Sequence, residues 1–151
     1  MISISRIELP VPGLEELRKE ALAEGYNFIE TLIDDWDSAS NRFNDRGEML
    51  CGYFDGDVIV AVGGLNCDPF AGDPGTGRIR RVYVRAAWRN QAIGRSLVMH
   101  LVEQARTHFD CVRLRAENEH AARLYERLGF VPIERADATH IFRFHQDETA
   151  S

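Results

Sequence analysis

The sequence predicts a single mixed α/β (α+β) domain with one parallel βαβ unit and about four helices. Its 151 residues fit one domain, because a domain usually spans about 100–200 residues. A composition of 44% hydrophobic and 28% charged residues is typical of a globular chain. Strand-like apolar runs alternate with stretches of helical periodicity. We expect the domain to cover residues 1–146, with a polar tail at 147–151.

The first half of the chain predicts a strand, two helices and a hairpin. Loosely alternating apolar residues stop at Pro10, which indicates the end of a strand. Two stretches of helical periodicity follow, the first ending near Gly25. Two β-rich runs are joined by Asp-Gly-Asp, a turn that favours a hairpin. The predicted elements are a strand at 2–9, helices at 13–24 and 28–43, and strands at 49–54 and 58–65.

The second half predicts a βαβ unit, a further helix and two strands. Proline and glycine residues over 66–77 indicate a loop. In a βαβ unit the strands are parallel, and a ligand normally lies beyond the end of the first strand, at the helix N-terminus. The predicted elements are the strand 79–84, the helix 92–109, the strand 111–116, the helix 119–128, and strands at 130–135 and 139–144.

Charge is segregated along the chain, although the formal net charge is −6. Residues 15–57 hold twelve carboxylates against four basic residues, whereas residues 78–95 hold six arginines and no acidic residue. Duplex nucleic acid usually requires a basic face overall, so one short cationic segment on an acidic protein favours a small polyanion. The alternative is a solvated strand and loop with incidental arginines.

Cysteine and histidine spacing predicts neither a disulfide framework nor a metal site. The three cysteines, Cys51, Cys67 and Cys111, form no CxxC pair. The five histidines have no HExxH or similar ligand spacing. The sequence contains no apolar run of about 18 residues and no signal-peptide pattern. We therefore expect a cytoplasmic protein without a membrane partner.

The turn before the third long helix combines small residues with two arginines. Residues 89–96 read Arg-Asn-Gln-Ala-Ile-Gly-Arg-Ser and follow the 79–84 strand. Backbone N–H groups can converge in such a turn, and the helix adds the positive end of its dipole, so the segment can hold a pyrophosphate. Arg89 and Arg95 would add charge-assisted hydrogen bonds. Small residues also occur at helix starts for packing reasons alone.

A second pattern follows the second parallel strand. Asn118 lies where an N-cap is expected, and Tyr125 follows seven residues later, about two helical turns. Both side chains can therefore face one groove. The structural alternatives are simple capping by Asn118 and ordinary ring packing by Tyr125.

Together these two patterns resemble the GNAT superfamily of acetyl-CoA-dependent N-acetyltransferases. The family's cofactor signature is Arg or Gln, two residues, Gly, one residue, then Gly or Ala. Residues 89–94 match it except that Ala92 replaces the first Gly. The family's later pattern of Asn, a small-residue helix, Leu-Tyr and Gly-Phe is present at Asn118, Ala121, Ala122, Leu124-Tyr125 and Gly129-Phe130. The resemblance implies a GNAT-like domain with a central, mostly antiparallel twisted sheet.

The resemblance also implies a role for each motif residue. Acetyl-CoA would be the acyl donor, with no metal involved. Asn118 would hydrogen-bond near the pantetheine, and Tyr125 would protonate the departing thiolate. The Ala92 methyl would matter only if the backbone needed a positive φ or a very close approach. The pantetheine would pair with the backbone of Val82, Tyr83 and Val84. The pyrophosphate would be held, mainly by main-chain amides, by Arg89, Asn90, Gln91, Ala92, Ile93, Gly94, Arg95 and Ser96.

The general base and the acceptor are left open. Many relatives carry an acidic residue early in the cofactor strand, where this chain has Arg78. Glu117 is the nearest candidate base, Glu30 and Asp68 are remote ones, and a water chain is equally possible. The acceptor would be a small-molecule or peptide amine. The acidic helix around residues 30–37 suggests a cationic amine, unless it is only a solvated face.

Two other functions compete with an N-acetyltransferase that acts by direct attack of a primary amine. One is a non-catalytic acyl-CoA-binding sensor or interaction module. The other is a nucleic-acid-binding domain that uses the 78–95 arginines, although we expect no nucleic-acid partner. The chain is expected to be a monomer or a homodimer.

Overall fold

The computed structural model describes residues 2–144, except for the side chain of Ile2, so the predicted tail at 147–151 lies outside the described residues. Within this range, seven strands form one sheet, which is combined with four α-helices. The strands are β1 (Ile2–Arg6), β2 (Met49–Asp55), β3 (Val58–Cys67), β4 (Thr76–Val84), β5 (Cys111–Leu114), β6 (Val131–Pro132) and β7 (His140–Arg143). The helices are α1 (Leu14–Ala23), α2 (Phe28–Asp37), α3 (Ile93–Arg106) and α4 (Glu119–Arg127). The predicted mixed α/β class is confirmed.

The sheet has the strand order β1-β2-β3-β4-β5-β7-β6. Its neighbouring strands pair antiparallel, apart from β4 and β5, which are parallel. Helix α3 connects these two strands, because a parallel pair cannot be joined by a tight turn. The mostly antiparallel sheet with one βαβ unit is therefore confirmed.

Strands β4 and β5 diverge soon after they pair. Only residues 76–78 of β4 are paired with residues 111–113 of β5. The rest of β4 continues to pair with β3 as far as Val84. A register shift opposite Val62 and Gly64, together with a positive φ of 61° at Arg81, marks a bulge in β4. The second half of β4 therefore has one backbone edge that β5 does not pair with. This edge borders an opening between β4 and β5.

Two hydrophobic clusters cover opposite faces of the sheet, since the successive β2 residues Met49, Leu50 and Cys51 alternate between them. Helix α3 supplies much of the first cluster, which also includes Tyr125 and Phe130. Helices α1 and α2 supply the second, which also includes Phe43 and Tyr83. None of the helices in residues 2–144 has the length and apolar character needed to cross a bilayer.

The largest departure from the predicted elements is at the second helix. It ends at Asp37, whereas periodicity suggested an end near residue 43. Phe43 has a positive φ of 51° and is 2% exposed, so it is a core residue in a loop. Its ring lies against Gly64 of β3, where a Cβ would collide with it. The apolar residue that seemed to extend the helix is therefore fixed by tertiary packing.

Smaller differences concern the predicted loop and the last strands. Strand β3 extends to Cys67 and β4 begins at Thr76, so the 66–77 loop is shorter than predicted. The N–H of Asp68 donates to the Thr76 carbonyl at 2.8 Å, which prolongs the ladder. The strand expected at 130–135 is reduced to Val131–Pro132.

Candidate active site

A groove of about 630 Å³ lies beside the free edge of β4, bordered by the start of α3 and by α4. Tyr26 and Phe28, which the sequence did not single out, also line it. Gln91 and Ser96 are exposed beside the groove without lining it. The predicted site residues that line it are Val82, Tyr83, Val84, Arg89, Asn90, Ala92, Ile93, Gly94, Arg95, Glu117, Asn118 and Tyr125.

The first turn of α3 presents uncapped backbone amides to this groove. Its N-cap is Ala92, no side chain caps the helix, and its first turn contains no acidic residue. The N–H groups of the first helical residues have no intrahelical acceptor, and they carry the positive end of the helix dipole. The arrangement suits the oxygens of a phosphate or diphosphate.

The backbone at Ala92 meets the condition under which its methyl group matters. Both Asn90 and Ala92 have left-handed backbones, with φ of 64° and 63°. Asn tolerates this region, whereas alanine pays a steric cost of roughly 1–2 kcal/mol. The Ala92 methyl is therefore not neutral, because this turn does require a positive φ at the position where the family signature has glycine.

Gly94 keeps part of the groove open. A Cβ at Gly94 would lie 3.5 Å from Val84 Cγ2 and 3.9 Å from Leu124 Cδ2. These are ordinary contact distances, so the protein alone would accept a methyl group at this position. The methyl would instead occupy space between β4 and α4 that the groove now offers to a ligand.

The two arginines of the turn have different surroundings. Arg89 donates to both carboxylate oxygens of Glu24, at 2.7 and 3.0 Å, and through Nε to the Val84 carbonyl at 2.9 Å. The hydrogen bond to Glu24 raises the pKa of Arg89, and the reciprocal bond lowers the pKa of Glu24. Arg95 is exposed and pairs with none of the described residues. Arg89 is thus held toward α1, while Arg95 is available to an anion.

Tyr83 lies on the α1 side of β4. Its hydroxyl donates to Glu24 at 2.7 Å and to Glu20 at 3.0 Å. Burial and these two carboxylates raise the pKa of Tyr83 well above its ordinary value. The side chain of Tyr83 therefore links β4 to α1, and the residue also lines the groove.

Tyr125 stands at the inner end of the groove and is 8% exposed. Its ring packs edge-on against Phe130, with the ring centroids 5.8 Å apart. Burial, with a contribution from the charge of Glu117, raises the pKa of Tyr125 to about 12. The phenol therefore keeps its proton at neutral pH and can donate it.

Asn118 acts as the N-cap of α4. Its Oδ1 accepts the N–H of Ala121 at 2.9 Å, and its Nδ2 donates to the Tyr26 hydroxyl at 3.2 Å. The capping alternative is therefore correct, and the same residue borders the groove. The bond to Tyr26 links α4 to the segment before α2 across this opening.

A smaller cavity of about 140 Å³ adjoins the groove, and we call it the arginine pocket. It shares Phe28, Val82, Glu117 and Tyr125 with the groove, so the two spaces meet at Tyr125. Its remaining lining residues are Arg78, Ile79, Arg80, Arg81, Leu114 and Arg115. The sequence showed the arginine density of β4 but not that Arg115 would join it.

Of the three candidate bases, one lines the two cavities and the other two do not. Glu117 lines both cavities, and desolvation raises its pKa despite the opposing charges of Arg115 and Arg81. Glu30 is paired with Arg18 at 3.0 Å and lines neither cavity. Asp68 has a fully buried side chain that is paired with Arg113 at 2.9 Å, and it also lines neither cavity.

The cysteines lie apart from both cavities and are unpaired. Burial raises the pKa of Cys51 to about 11, so this thiol is poorly suited to act as a nucleophile. Within residues 2–144, no group of three or more His, Cys, Asp or Glu side chains is arranged to hold a metal ion.

Comparisons with known proteins identify one family and several similar folds. The sequence profile of the acetyltransferase (GNAT) family matches residues 12–130. A solved structure assigned as an acetyltransferase, from Exiguobacterium sp. 255-15, is 24% identical with a TM-score of 0.87, and the match covers 100% of this chain and 99% of that one.

Two other solved structures are similar over most of their length. The PaiA N-acetyltransferase from Thermoplasma acidophilum, in complex with coenzyme A, is 17% identical with a TM-score of 0.65, covering 95% of this chain and 99% of that one. The ribosomal-protein-S18-alanine N-acetyltransferase from Escherichia coli is 20% identical with a TM-score of 0.67, covering 93% and 89%. At these identities the likeness shows a shared fold.

Proposed function

The chain belongs to the GNAT family of acetyltransferases, and we propose that it transfers an acetyl group from acetyl-CoA to the neutral primary amine of an acceptor by direct attack. The observation that carries the proposal is a single groove bordered by a free strand edge, uncapped helix amides and a protonated buried tyrosine. A cytoplasmic location, a monomer or homodimer, and the absence of a nucleic-acid partner stay predictions from the sequence.

The shape and polarity of the groove fit the acyl donor. A volume of about 630 Å³ lies within the range of about 300–1,000 Å³ that is typical of small-molecule sites. The amides of Ile93, Gly94 and Arg95 would hold the pyrophosphate, and Arg95 would add its charge. The free backbone edge of β4 at Val82 and Val84 would pair with the amide groups of the pantetheine arm.

Acetyl-CoA supplies an acyl group that its thioester already activates. A main-chain N–H of β4 would polarise the thioester carbonyl and stabilise the charge that develops on its oxygen during attack. Glu117 would take the proton of the amine, directly or through water, since it lies where the groove and the arginine pocket meet. Its raised pKa brings it closer to the pH at which a carboxylate is an effective base.

Tyr125 would donate its phenolic proton to the departing thiolate. Its pKa of about 12 exceeds the ordinary thiol value of about 8.5, so the transfer would be uphill by roughly 5 kcal/mol if the thiol were in water. The thiolate would leave inside the same groove, however, and desolvation raises the pKa of a thiol as well. The gap between donor and acceptor is therefore smaller at the site, which keeps Tyr125 suitable as a general acid.

The test is the Tyr125→Phe variant. We expect coenzyme A to bind within about twofold of the wild-type affinity in calorimetry, because the ring and its packing remain. We expect kcat, measured as thiol release from acetyl-CoA with an amine panel, to fall about 10²-fold or more. An unchanged kcat would remove Tyr125 from the mechanism.

The same measurements address the two competing functions. A sensor or interaction module would bind coenzyme A but release no thiol with any amine. The nucleic-acid alternative has less support, because Arg78, Arg81 and Arg89 are already paired with Asp68, Asp35 and Glu24. Salt-dependent RNA binding by the wild-type protein that coenzyme A does not compete with would favour that alternative.

A further inference from the structure

The arginine pocket concentrates positive charge beside the candidate catalytic residues. Four of its lining residues are Arg78, Arg80, Arg81 and Arg115, whereas Glu117 is the acidic residue among those that line it. Guanidinium groups so close together repel one another unless carboxylates or carbonyls offset them. The partners of each arginine therefore show how much charge the protein leaves uncompensated.

Three of these arginines are compensated by the protein itself. Arg78 donates to Asp68 at 3.4 Å and to the Asp137 carbonyl at 2.7 Å. Arg81 forms an ion pair with Asp35 at 3.7 Å. Arg115 donates to the neutral carbonyl of Ala136, and the opposing charge in its surroundings is that of Glu117.

Arg80 is different. None of the residues 2–144 forms a hydrogen bond or an ion pair with its guanidinium. Its Nε is shielded from solvent and has no acceptor. Burial, together with the charges of Arg81 and Arg78, lowers the pKa of Arg80 to about 10. Arg80 is half-buried, and a positive charge that is partly removed from water and has no protein partner is suited to pair with an anion that enters the pocket.

The position of the pocket indicates which molecule would bring that anion. The pocket meets the groove at Tyr125 and Glu117, which are the proposed acid and base. Arg80 comes two residues before Val82, and the uncapped amides proposed for the pyrophosphate are at the start of α3, well beyond the end of β4. A ligand in the pocket is therefore placed to be the acceptor rather than the phosphate end of the donor.

We propose that Arg80 binds a carboxylate carried by the acceptor amine. This inference rests on the proposed acetyltransferase function and names its substrate class. One unpaired guanidinium calls for one negative charge, which matches a carboxylate better than a phosphate with a charge of about −1.5 to −2. The planar fork of arginine also fits a carboxylate in a bidentate manner.

This substrate class replaces the cationic acceptor that the acidic second helix suggested. Two carboxylates on that helix are already used, since Glu30 pairs with Arg18 and Asp35 pairs with Arg81. An additional cation on the acceptor would instead meet the arginines of the pocket. Glu30 and Asp35 therefore offset the charge of the protein's own arginines.

The test compares matched acceptors that differ only in the anionic group. One arm uses free L-amino acids against the corresponding amino-acid amides. A second arm uses short peptides that begin with Asp or Glu against the same peptides beginning with Asn or Gln, which shows whether the carboxylate comes from a small molecule or from a peptide. We expect at least one carboxylate member to exceed its amide partner in kcat/KM by about tenfold or more.

The Arg80→Gln variant assigns that preference to Arg80. We expect kcat/KM for the preferred carboxylate acceptor to fall about tenfold to a hundredfold, with a change of less than about threefold for its amide partner. Arg106→Gln, on the exposed end of α3 and lining neither cavity, removes the same charge as a control and should leave both values unchanged. Equal losses for the two acceptors in Arg80→Gln would overturn the assignment.

Two further readouts keep the inference separate from the proposed function. Calorimetry with coenzyme A should give the wild-type affinity in Arg80→Gln, and thermal unfolding should show no loss of stability, because a half-buried charge that has no partner among residues 2–144 has been removed. If Arg80→Gln does not fold, the inference fails, since Arg80 would then have a structural partner; Arg80→Lys should fold and lose only part of the carboxylate preference. Coenzyme A binding with equal turnover of all matched acceptors would overturn the inference but leave the acetyltransferase proposal intact.

Discussion

At the scale of single residues, the clearest conflict between sequence and backbone is at Ala92. This residue has a left-handed backbone in the turn that leads into α3, where the family signature has glycine. Asn90, in the same turn, has a similar φ but belongs to a residue type that tolerates it. The turn therefore keeps its shape at the expense of some stability.

We predict that Ala92→Gly stabilises the protein by about 0.5–1 kcal/mol. Relief of the left-handed strain raises the free energy of unfolding by roughly 1–2 kcal/mol, and the greater freedom of glycine in the unfolded chain lowers it by about 0.5–1 kcal/mol. Urea unfolding measures the difference. Ala122→Gly, inside helix α4, is the control and should be destabilising by about 1 kcal/mol or more. A loss of stability in Ala92→Gly would contradict the strain.

At the scale of elements, the start of α3 contains a residue, Gly94, whose size matters more for ligand binding than for folding. Gly94 is helical, and the protein would accept a methyl group there at ordinary contact distances from Val84 and Leu124. The same methyl would narrow the groove between β4 and α4. A small residue at this position is thus explained by the ligand space it leaves open rather than by the fold.

We predict that Gly94→Leu binds coenzyme A at least about tenfold more weakly, whereas Gly94→Ala, a residue that the family signature allows at this position, folds with wild-type or slightly higher stability and binds coenzyme A with nearly wild-type affinity. Alanine favours the helix over glycine, while a side chain larger than a methyl that is forced against a bound ligand costs roughly 1–3 kcal/mol. Thermal unfolding and calorimetry measure stability and affinity on one sample of each variant. Wild-type affinity in Gly94→Leu would argue against pyrophosphate or pantetheine at this turn.

Elements with strong local signals could be predicted from the sequence, and contacts between distant segments could not. The hairpin turn and the βαβ order are local patterns, and they place β4 and α3 correctly. The pairing of Arg89 with Glu24 joins residues 65 positions apart, so no spacing rule indicates it. The end of α2 was missed for the same reason, because Phe43 continues the helical period but packs under Gly64 of another strand.

The residues of the candidate site divide in the same way, into those that local spacing predicts and those that only contacts between distant segments bring together. Tyr125 and Asn118 could be found from their spacing on one helix, and the structure puts both at the groove. The arginine pocket requires β4 and β5 to pair as neighbours, which brings Arg115 near the β4 arginines, and then to diverge, which opens the space between them. Which arginine stays unpaired depends on Asp35 and Asp68, which come from other parts of the fold. That distinction exists only in the folded molecule.

At the scale of the whole molecule, Asp68 links three neighbouring strands at the centre of the sheet. Its side chain is fully buried and accepts from Arg113 at 2.9 Å and from Arg78 at 3.4 Å, which ties the end of β3 to β4 and β5. Burial alone would raise the pKa of Asp68. The hydrogen bonds from Arg113 and the Phe70 N–H, with the charges of both arginines, outweigh burial and lower it.

We predict that Asp68→Asn destabilises the protein by about 3–5 kcal/mol at pH 7, because it leaves the buried Arg78 without a carboxylate partner among residues 2–144 and removes one of the two carboxylates that pair with Arg113. Since the pKa of Asp68 is lower in the folded state, its contribution is fully present above the ordinary aspartate value of about 4 and is lost as the pH falls through the folded value. Urea unfolding from pH 7 down to about pH 3 should therefore show the gap between wild type and variant narrowing on the acid side. A gap that stays constant over this range would mean that the charge of Asp68 does not hold the strands together, and its role would then be one of shape alone.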